Sequence, residues 1–298
     1  MKLKDIGAVL TFATFRPEPD DRNAPWHRRF SKQKTLLLNI GKGRTSWKVM
    51  GKGRRLLDGG SQDGEFREIA TSAAEEWRSL ADDGWCAISV NHRYVISLET
   101  NVSRKPGAED LIFSNPRAVL GARYERGRRY AFTNNPESAS TILLSVEEEQ
   151  IKQIEQVLRE TGLKAGRICC GTYAMLHALL AEVYSEPDSE KKKEQPEAQQ
   201  TNCLDVVCCE GSVCAMLESG DAWTELRSRS DLYKDGDFEP VFNILQPLVS
   251  RIDDDGVIRF VGDGAGSPIV EALRTRFPLA QITDYSREDQ VWRVLADS

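Results

Sequence analysis

The chain has 298 residues, of which 40% are apolar and 29% charged, and its formal charge is −6. This length is enough for two domains with a substantial core. The acidic balance argues against a nucleic-acid binder that works through bulk electrostatics, and the lack of an apolar run of about 20 residues argues against a membrane-spanning segment.

The cysteines and histidines favour neither a disulfide framework nor a metal site. The seven cysteines are an odd number, and the adjacent pairs Cys169-Cys170 and Cys208-Cys209 are poorly placed for cross-linking. Most lie in apolar, strand-like runs, so we expect buried, reduced thiols and a reducing compartment. The three histidines are scattered and no C-x-x-C pattern occurs, so we expect no metal site.

The N-terminal part is predicted to consist mainly of strands. Ile6–Phe15 alternates apolar with polar residues, which favours a strand over a signal peptide. The proline-containing Arg16–Lys34 is predicted to be a loop. Thr35–Met50 has the pattern of a β-hairpin, with two strand-like runs around a Gly-Lys-Gly turn. The polar, glycine-rich Leu56–Gly64 is predicted to be a turn that ends this strand region.

The next part of the chain is predicted to combine a helix with short strands. Apolar residues at spacings of three and four predict a helix over Glu65–Ala81. Cys86–Val90 and Arg93–Leu98 are predicted to be strands, and the proline-containing Glu99–Ala139 is expected to hold strands and loops. Ser140–Val146 is a further strand candidate.

Two more helices and a linker are predicted before the second half. Ser145 is a candidate N-cap, and Glu148 three residues later completes a capping box for a helix that ends near Thr161. Thr172–Tyr184 is apolar around most of its circumference, which indicates a helix buried between layers. Glu186–Thr201 has no large apolar residue and is predicted to be a flexible linker or insertion.

The second half begins with another hairpin pattern. Leu204–Leu217 again joins two apolar runs, here through a Glu-Gly turn. The predicted elements that follow are a strand near Trp223–Ser228, a helix near Glu239–Ile252, a strand at Val257–Val261, a helix at Ser267–Phe277 and a strand at Leu279–Thr283. The repeated hairpins with intervening helices predict an α/β protein whose two similar halves contain mixed sheets and face each other across a cleft.

Three glycine turns at strand ends are the candidate ligand site. Glycines allow a phosphate to approach backbone N–H groups, and a lysine or a hydroxyl nearby would add to its binding. The candidate residues are Gly41, Lys42, Gly43 and Thr45 in the first turn, Gly211 in the second, and Gly262, Gly264 and Gly266 in the third. The alternative is that these are ordinary turns without a ligand.

The order of these elements resembles the actin-like ATPase superfamily, which includes actin, Hsp70 chaperones and sugar kinases. The similarity is greatest to its bacterial secretion and pilus branch, which contains PilM and the cytoplasmic part of GspL. Ser145–Leu180 and Ile258–Phe277 contribute most to it. The resemblance implies a two-lobed fold in which two hairpin turns hold the phosphates of ATP, with Mg²⁺, and the late glycine turn holds adenosine.

This sequence departs from the superfamily at the residues that organise the metal. The first turn usually begins with an aspartate, where this chain has Asn39, and the stretch Cys208–Gly211 has no aspartate either. The loss of these carboxylates removes oxygen ligands that Mg²⁺ requires. Asp205 could compensate only if the strand phase turned it towards the cleft. Asp263 is expected to be an exposed turn residue or a nucleotide contact.

The resemblance therefore implies a degenerate actin-like scaffold of a type IV pilus or type II secretion-like assembly. Such a protein would bind nucleotide weakly or not at all, would have no catalytic residue, and would bind the cytoplasmic tail of an inner-membrane protein. It would be cytoplasmic and peripheral to the membrane through that partner. We expect a first lobe over 1–185, with a variable subdomain at about 99–165, and a second lobe over 202–298.

Two other functions remain open from the sequence. An active small-molecule kinase or ATPase of the same superfamily would need a carboxylate base near the cleft, and Asp58 and Glu68 follow the first hairpin. A nucleic-acid-binding module could use the basic cluster Arg123–Arg129, although the acidic total charge argues against it.

Overall fold

A computed structural model describes residues 12, 34–100, 111–112, 114–134, 141–185, 202–219, 222–234, 236–252 and 256–297. The predicted linker Glu186–Thr201 lies outside these residues. So do the predicted N-terminal strand, apart from Phe12, and the loop after it, apart from Lys34. The described part is a mixed α/β protein in which helices flank three β-sheets.

The first sheet has five strands in the spatial order β3-β2-β1-β4-β8. These are β1 (Thr35–Ile40), β2 (Arg44–Met50), β3 (Leu56–Asp63), β4 (Trp85–Val90) and β8 (Lys164–Cys170). Strands β1 and β2 form the first predicted hairpin, and β1 pairs in parallel with β4 on its other side. All six residues of β1 are buried, as expected for an apolar strand at the centre of a covered sheet.

The second sheet repeats this arrangement. Its order is β11-β10-β9-β12-β13, formed by β9 (Cys203–Cys209), β10 (Ser212–Ser219), β11 (Ala222–Arg229), β12 (Val257–Val261) and β13 (Gln281–Asp284). Here too an antiparallel run of three strands is followed by two parallel ones, and β9 has the place that β1 has in the first sheet. The prediction of two similar halves is therefore confirmed at the level of strand order and direction.

The third sheet has the order β5-β7-β6 and consists of β5 (Val95–Thr100), β6 (Arg128–Asn134) and β7 (Thr141–Glu147). The prediction of an N-cap at Ser145 is wrong. Strand β7 pairs with both neighbours and continues to Glu147, which precedes the helix and makes no side-chain capping bond. The Ser145 hydroxyl instead accepts a hydrogen bond from Nε of Arg128 at 3.0 Å.

The helices cover the sheets. They are α1 (Phe66–Ser72), α2 (Ala74–Leu80), α3 (Pro116–Leu120), α4 (Glu148–Glu160), α5 (Gly171–Ser185), α6 (Glu239–Val249), α7 (Pro268–Arg276) and α8 (Gln290–Asp297). The single helix predicted over Glu65–Ala81 is two helices, because the backbone at Ala73 leaves the helical region at φ −91° and ψ 3°. None of the described helices is long and apolar enough to cross a membrane.

The predicted turn Leu56–Gly64 is wrong, because this segment is the edge strand β3. Its side chains are mostly exposed, so backbone pairing with β2 holds it in place and polar residues are tolerated. Gly59 is required by the close approach of the two strands, since a Cβ there would lie 1.7 Å from the carbonyl oxygen of Trp47. The strand was not predicted because its polar, glycine-containing sequence is typical of a turn.

Helix α5 lies between the two large sheets and is buried along most of its length, as predicted. It packs against β8 of the first sheet and against β9 and β10 of the second. Helix α8, which was not predicted, packs against α5, β1 and β4, although it follows the strands of the second sheet in the chain. Arg167 of β8 donates to the carbonyl of Leu295 in α8 at 3.0 Å. The lobe boundaries stay a prediction.

Candidate functional site

The three glycine turns predicted from the sequence lie together. The side-chain amide of Asn39, at the end of β1, donates a hydrogen bond to the carboxylate of Glu210 in the turn between β9 and β10. The backbone N–H of Glu210 donates in turn to Asp263, at 3.0 Å from Oδ2 and 3.2 Å from Oδ1. Asp263 lies in the turn between β12 and α7. One chain of hydrogen bonds therefore joins all three turns.

The Glu210-Gly211 turn has a backbone that presents its acid towards the first hairpin. Both residues have positive φ, 48° for Glu210 and 76° for Gly211, which is the conformation of a tight two-residue hairpin turn. The carbonyl of Gly211 accepts a hydrogen bond from the backbone N–H of Leu232 at 2.8 Å. This hydrogen bond holds the turn in place. The positive φ of Gly211 explains why the residue is a glycine.

Two backbone donors of the candidate residues are used within the protein. The N–H of Gly41 donates to the carbonyl of Arg44 at 2.9 Å, and the N–H of Gly262 donates to Oγ of Ser286 at 2.7 Å. Thr45 is only 1% exposed, so its hydroxyl does not face solvent. The assignment of these three residues to a ligand stays a prediction.

The remaining candidates border open space. Lys42 is exposed and its Nζ lies 3.9 Å from Oδ2 of Asp231, a weak surface ion pair. A Cβ added at Gly43, Gly264 or Gly266 would meet no atom within 4 Å. Solvent-accessible space therefore adjoins the first and third turns, and their assignment to a ligand, like that of Gly211, also stays a prediction.

Two carboxylates dominate the electrostatics where the turns meet. Burial raises the pKa of Glu210, Asp263 raises it further and the Asn39 amide opposes the rise. Burial likewise raises the pKa of Asp263, while the N–H of Glu210 and the thiol of Cys209 lower it. Both residues keep exposed surface, but the protein around their carboxyl groups removes enough water to raise both pKa values.

The structure settles the position of Asp205. Its side chain is fully buried in the second sheet and accepts hydrogen bonds from Arg259, at 2.6 Å from Nε and 2.9 Å from Nη2. Arg259 also donates to Glu218, whose other oxygen accepts from Trp223 Nε1 at 2.8 Å. Asp205 is therefore part of a buried ion-pair cluster and does not replace the missing aspartates of the turns.

These residues do not fit a Mg²⁺-nucleotide. The N–H groups of Gly41, Glu210 and Gly262 are engaged within the protein, and the carboxyl groups of Glu210 and Asp263 lie at the turns that the resemblance assigns to phosphates and to adenosine. Within the described ranges, no group of three His, Cys, Asp or Glu side chains is placed to hold a metal ion.

Two of the arginines in the basic cluster Arg123–Arg129 have structural contacts. Arg128 donates to Ser145, and Arg129 forms a two-bond ion pair with Glu155, at 2.9 and 3.0 Å. Arg129 also donates to the carbonyl of Phe12 at 3.0 Å. These side chains tie β6 to neighbouring elements and are not available as a nucleic-acid surface.

A groove of about 620 Å³ opens between α1, α4 and the ends of β1 and β4. It combines apolar and polar lining, formed by Ile40, Glu65, Phe66, Arg67, Val90, Tyr94, Val146, Glu149, Gln150, Ile151, Gln153, Ile154, Gln156 and Val157. The side-chain oxygen of Gln150 is buried and has no hydrogen-bond partner among the described residues. No signal in the sequence indicated this groove, because its walls come from segments far apart in the chain.

Comparison with known proteins finds similarity in structure alone. No family model matches the sequence, and no curated protein matches it. A Bacteroides thetaiotaomicron protein with an actin-like ATPase fold and unknown function superposes with a TM-score of 0.52 at 10% identity, over 90% of this chain and 97% of that one.

Two further solved structures are similar. The PilM–PilN type IV pilus biogenesis complex matches with a TM-score of 0.52 at 12% identity, over 87% of this chain and 89% of the other. The cytoplasmic domain of EpsL, an inner-membrane component of the Vibrio cholerae type II secretion system, gives 0.46 at 10% identity, over 88% and 92%. At these identities the likeness concerns the fold.

Proposed function

We propose that this chain, which has the actin-like ATPase fold, is a scaffold of a bacterial type IV pilus or type II secretion-like assembly. In this role it binds a cytoplasmic segment of an inner-membrane protein and turns over no nucleotide. The observation that supports this most directly is the hydrogen bond between Asn39 and Glu210, which joins the two phosphate-side turns of the fold to each other.

The argument against an enzyme rests on the charges of the cleft. A kinase or ATPase needs hard oxygen ligands for Mg²⁺ and free donors for phosphates. Here the first turn has an amide at Asn39, and the second turn directs the carboxylate of Glu210 at that amide. Asp58 and Glu68, the bases that an enzyme could have used, are both exposed. Weak or absent nucleotide binding follows.

The argument for a peptide partner rests on the groove between α1 and α4. Its volume suits a short segment of a few residues, and its lining offers half-buried apolar side chains such as Ile154. Beside them lies one buried polar atom, Gln150 Oε1, that has no hydrogen-bond partner among the described residues. Pockets of this mixed kind bind ligands by apolar contact and use their polar atoms for orientation. The similar PilM structure is a complex with PilN, which supports a protein partner for this fold.

The proposal is tested with synthetic peptides. Peptides that correspond to the short cytoplasmic segments of membrane proteins encoded beside this chain are labelled, and their binding to the full chain is followed by fluorescence anisotropy. We expect one of them to bind, and Ile154→Glu to weaken its affinity by about tenfold or more, because a charge would replace apolar contact.

The matched control is Leu279→Glu. This makes the same apolar-to-acidic change at a residue that is 78% exposed and does not line the groove. It should leave the peptide affinity unchanged. Binding that both variants weaken equally, or that neither weakens, would place the partner elsewhere. Rapid Mg²⁺-dependent ATP turnover by the unmodified chain would contradict the scaffold proposal and identify an enzyme.

A further inference from the structure

The groove between α1 and α4 combines an apolar interior with acidic side chains at its surface. Phe66, Tyr94 and Ile154 are half-buried in its lining, whereas the lining residues Glu65 and Glu149 are exposed. The lining residues that are fully buried are all apolar, namely Ile40, Val90, Val146, Ile151 and Val157. An occupant of the groove would therefore meet apolar surface inside and negative charge at the edge.

The protein does not neutralise this negative charge with its own cations. Within the described part of the chain, neither Glu65 nor Glu149 takes part in an ion pair. Arg67 also lines the groove, but its Nη1 lies 2.8 Å from Oε2 of Glu160, which offsets its charge. The neighbouring Arg93 lies over the ring of Tyr94, 4.5 Å from the ring centroid. The edge of the groove thus has an excess of negative charge.

The length of the groove and its amide groups suit an extended peptide. The lining residues of α4 run from Glu149 to Val157, about 12 Å at the helical rise of about 1.5 Å per residue. About four extended residues cover the same length at about 3.3 Å each. Gln150, Gln153 and Gln156 line this stretch at intervals of three residues. Their amides contain both donors and acceptors, as a peptide backbone does.

We propose that the groove selects an extended segment of a partner protein in which apolar side chains lie next to a lysine or arginine. This inference rests on the proposed function and adds the chemistry of the partner segment. The apolar side chains would contact the interior, and the cation would lie near Glu65 and Glu149. Cytoplasmic segments beside membrane spans are enriched in lysine and arginine, so a segment of this composition is available in the partner class proposed above.

Other ligand classes fit the groove less well. An acidic peptide or an anionic lipid headgroup would be repelled by Glu65 and Glu149, and the formal charge of −6 on the whole chain adds to that repulsion. A small cation such as a polyamine would leave the apolar interior uncovered. The combination of apolar and acidic lining therefore favours a segment that is both apolar and basic.

The test uses pools of blocked, fluorescently labelled pentapeptides, in which one position is fixed and the others are equal mixtures of amino acids. Binding to the full chain is followed by anisotropy. We expect pools fixed as Leu, Ile, Val or Phe to bind most tightly at some positions, and pools fixed as Lys or Arg to exceed those fixed as Asp or Glu at a neighbouring position. The preference for Lys and Arg should weaken as salt is added, because exposed charges are screened.

Variants of the two glutamates test the source of the charge preference. The double variant Glu65→Gln with Glu149→Gln should reduce the preference for Lys and Arg by about fivefold, the effect of losing an exposed ion pair at the upper end of its usual strength. Glu149→Lys should reverse the preference in favour of Asp and Glu. The matched control Glu75→Lys changes an exposed acid of α2 that does not line the groove, and should leave the preference unaltered.

The outcomes separate this inference from the proposed function. Binding of the apolar pools without a preference for Lys and Arg would overturn the inference and leave the groove as a peptide site. A preference that survives in the double variant, or that Glu75→Lys changes as much as Glu149→Lys does, would also overturn it. If no pool binds, both the inference and the assignment of the groove to a peptide are wrong.

Discussion

The side-chain amide of Asn39 donates a hydrogen bond to the carboxylate of Glu210, a residue 171 positions later in the chain. Asn39 is the penultimate residue of β1 and Glu210 directly follows β9, and these two strands have corresponding places in the two repeated sheets. The aspartate that the resembling superfamily usually has at the first position would oppose one carboxylate with another. An amide at position 39 can donate a hydrogen bond to the acid at position 210, whereas an ionised aspartate could not.

This match predicts the effect of restoring the aspartate. Asn39→Asp should lower the free energy of unfolding by about 1–3 kcal/mol, because it exchanges a hydrogen bond to a charged group for the repulsion of two partly desolvated acids. Urea unfolding at neutral pH measures the loss. Adding Glu210→Gln to the same chain should recover most of it, since an amide can again donate across the contact. Equal stability of Asn39→Asp and the unmodified chain would contradict the contact.

The glycines of the candidate site should differ in how much stability the protein loses when each is replaced by alanine. At Gly211 the backbone has φ 76°, and an added Cβ would lie 2.9 Å from the carbonyl oxygen of Tyr233. Gly211→Ala should therefore cost about 1–3 kcal/mol of stability. Gly264 has open space around it and φ outside the left-handed region, so Gly264→Ala should change stability by less than about 0.5 kcal/mol. Similar losses at both positions, measured by urea unfolding, would refute this distinction.

Much of the fold could be predicted from the sequence, because local patterns specify local elements. The glycine turns at Gly41–Gly43 and Glu210-Gly211 identified both hairpins, and the apolar circumference of α5 predicted its burial between the sheets. The actin-like fold that the order of elements implied is confirmed by the structural neighbours.

The rest depends on tertiary contacts that no local pattern contains. Strand β3 is polar because it is an edge strand, and Ser145 lies in a strand because β7 pairs on both sides. The sequence could identify Asn39 as a departure from an aspartate but not Glu210 as its partner, since that contact depends on how the two sheets face each other. For the same reason, the sequence could not show whether the Asp205 side chain faces the cleft or the interior of the sheet.

The buried cluster in the second sheet predicts a specific dependence of stability on pH. Burial raises the pKa of Asp205 to about 7, while Arg259 opposes the rise and Glu218 adds to it. A raised pKa in the folded state means that the folded chain binds this proton more tightly than the unfolded chain. The stabilisation is therefore complete below the ordinary pKa of an aspartate and is lost as the pH rises through about 7.

Asp205→Asn should abolish this loss. The neutral amide leaves Arg259 with one acid partner, Glu218. As the pH rises, the unmodified chain should lose stability while the variant does not, so the free energy of unfolding of the variant should rise relative to that of the unmodified chain. We expect a change on the order of 1–3 kcal/mol between about pH 5 and about pH 8. Urea unfolding across that interval measures it. Asp58→Asn, at an exposed position, is the control and should show no such trend.

Binding and turnover of ATP with Mg²⁺ by the unmodified chain, followed by thermal unfolding and phosphate release, test the central claim most directly. A ligand present at about 100 times its Kd would stabilise the chain by about 2.7 kcal/mol. Because the carboxyl groups of Glu210 and Asp263 lie at the turns that the resemblance assigns to phosphates and to adenosine, we predict little or no rise in the unfolding temperature and no phosphate release. A large rise together with rapid Mg²⁺-dependent turnover would contradict the account.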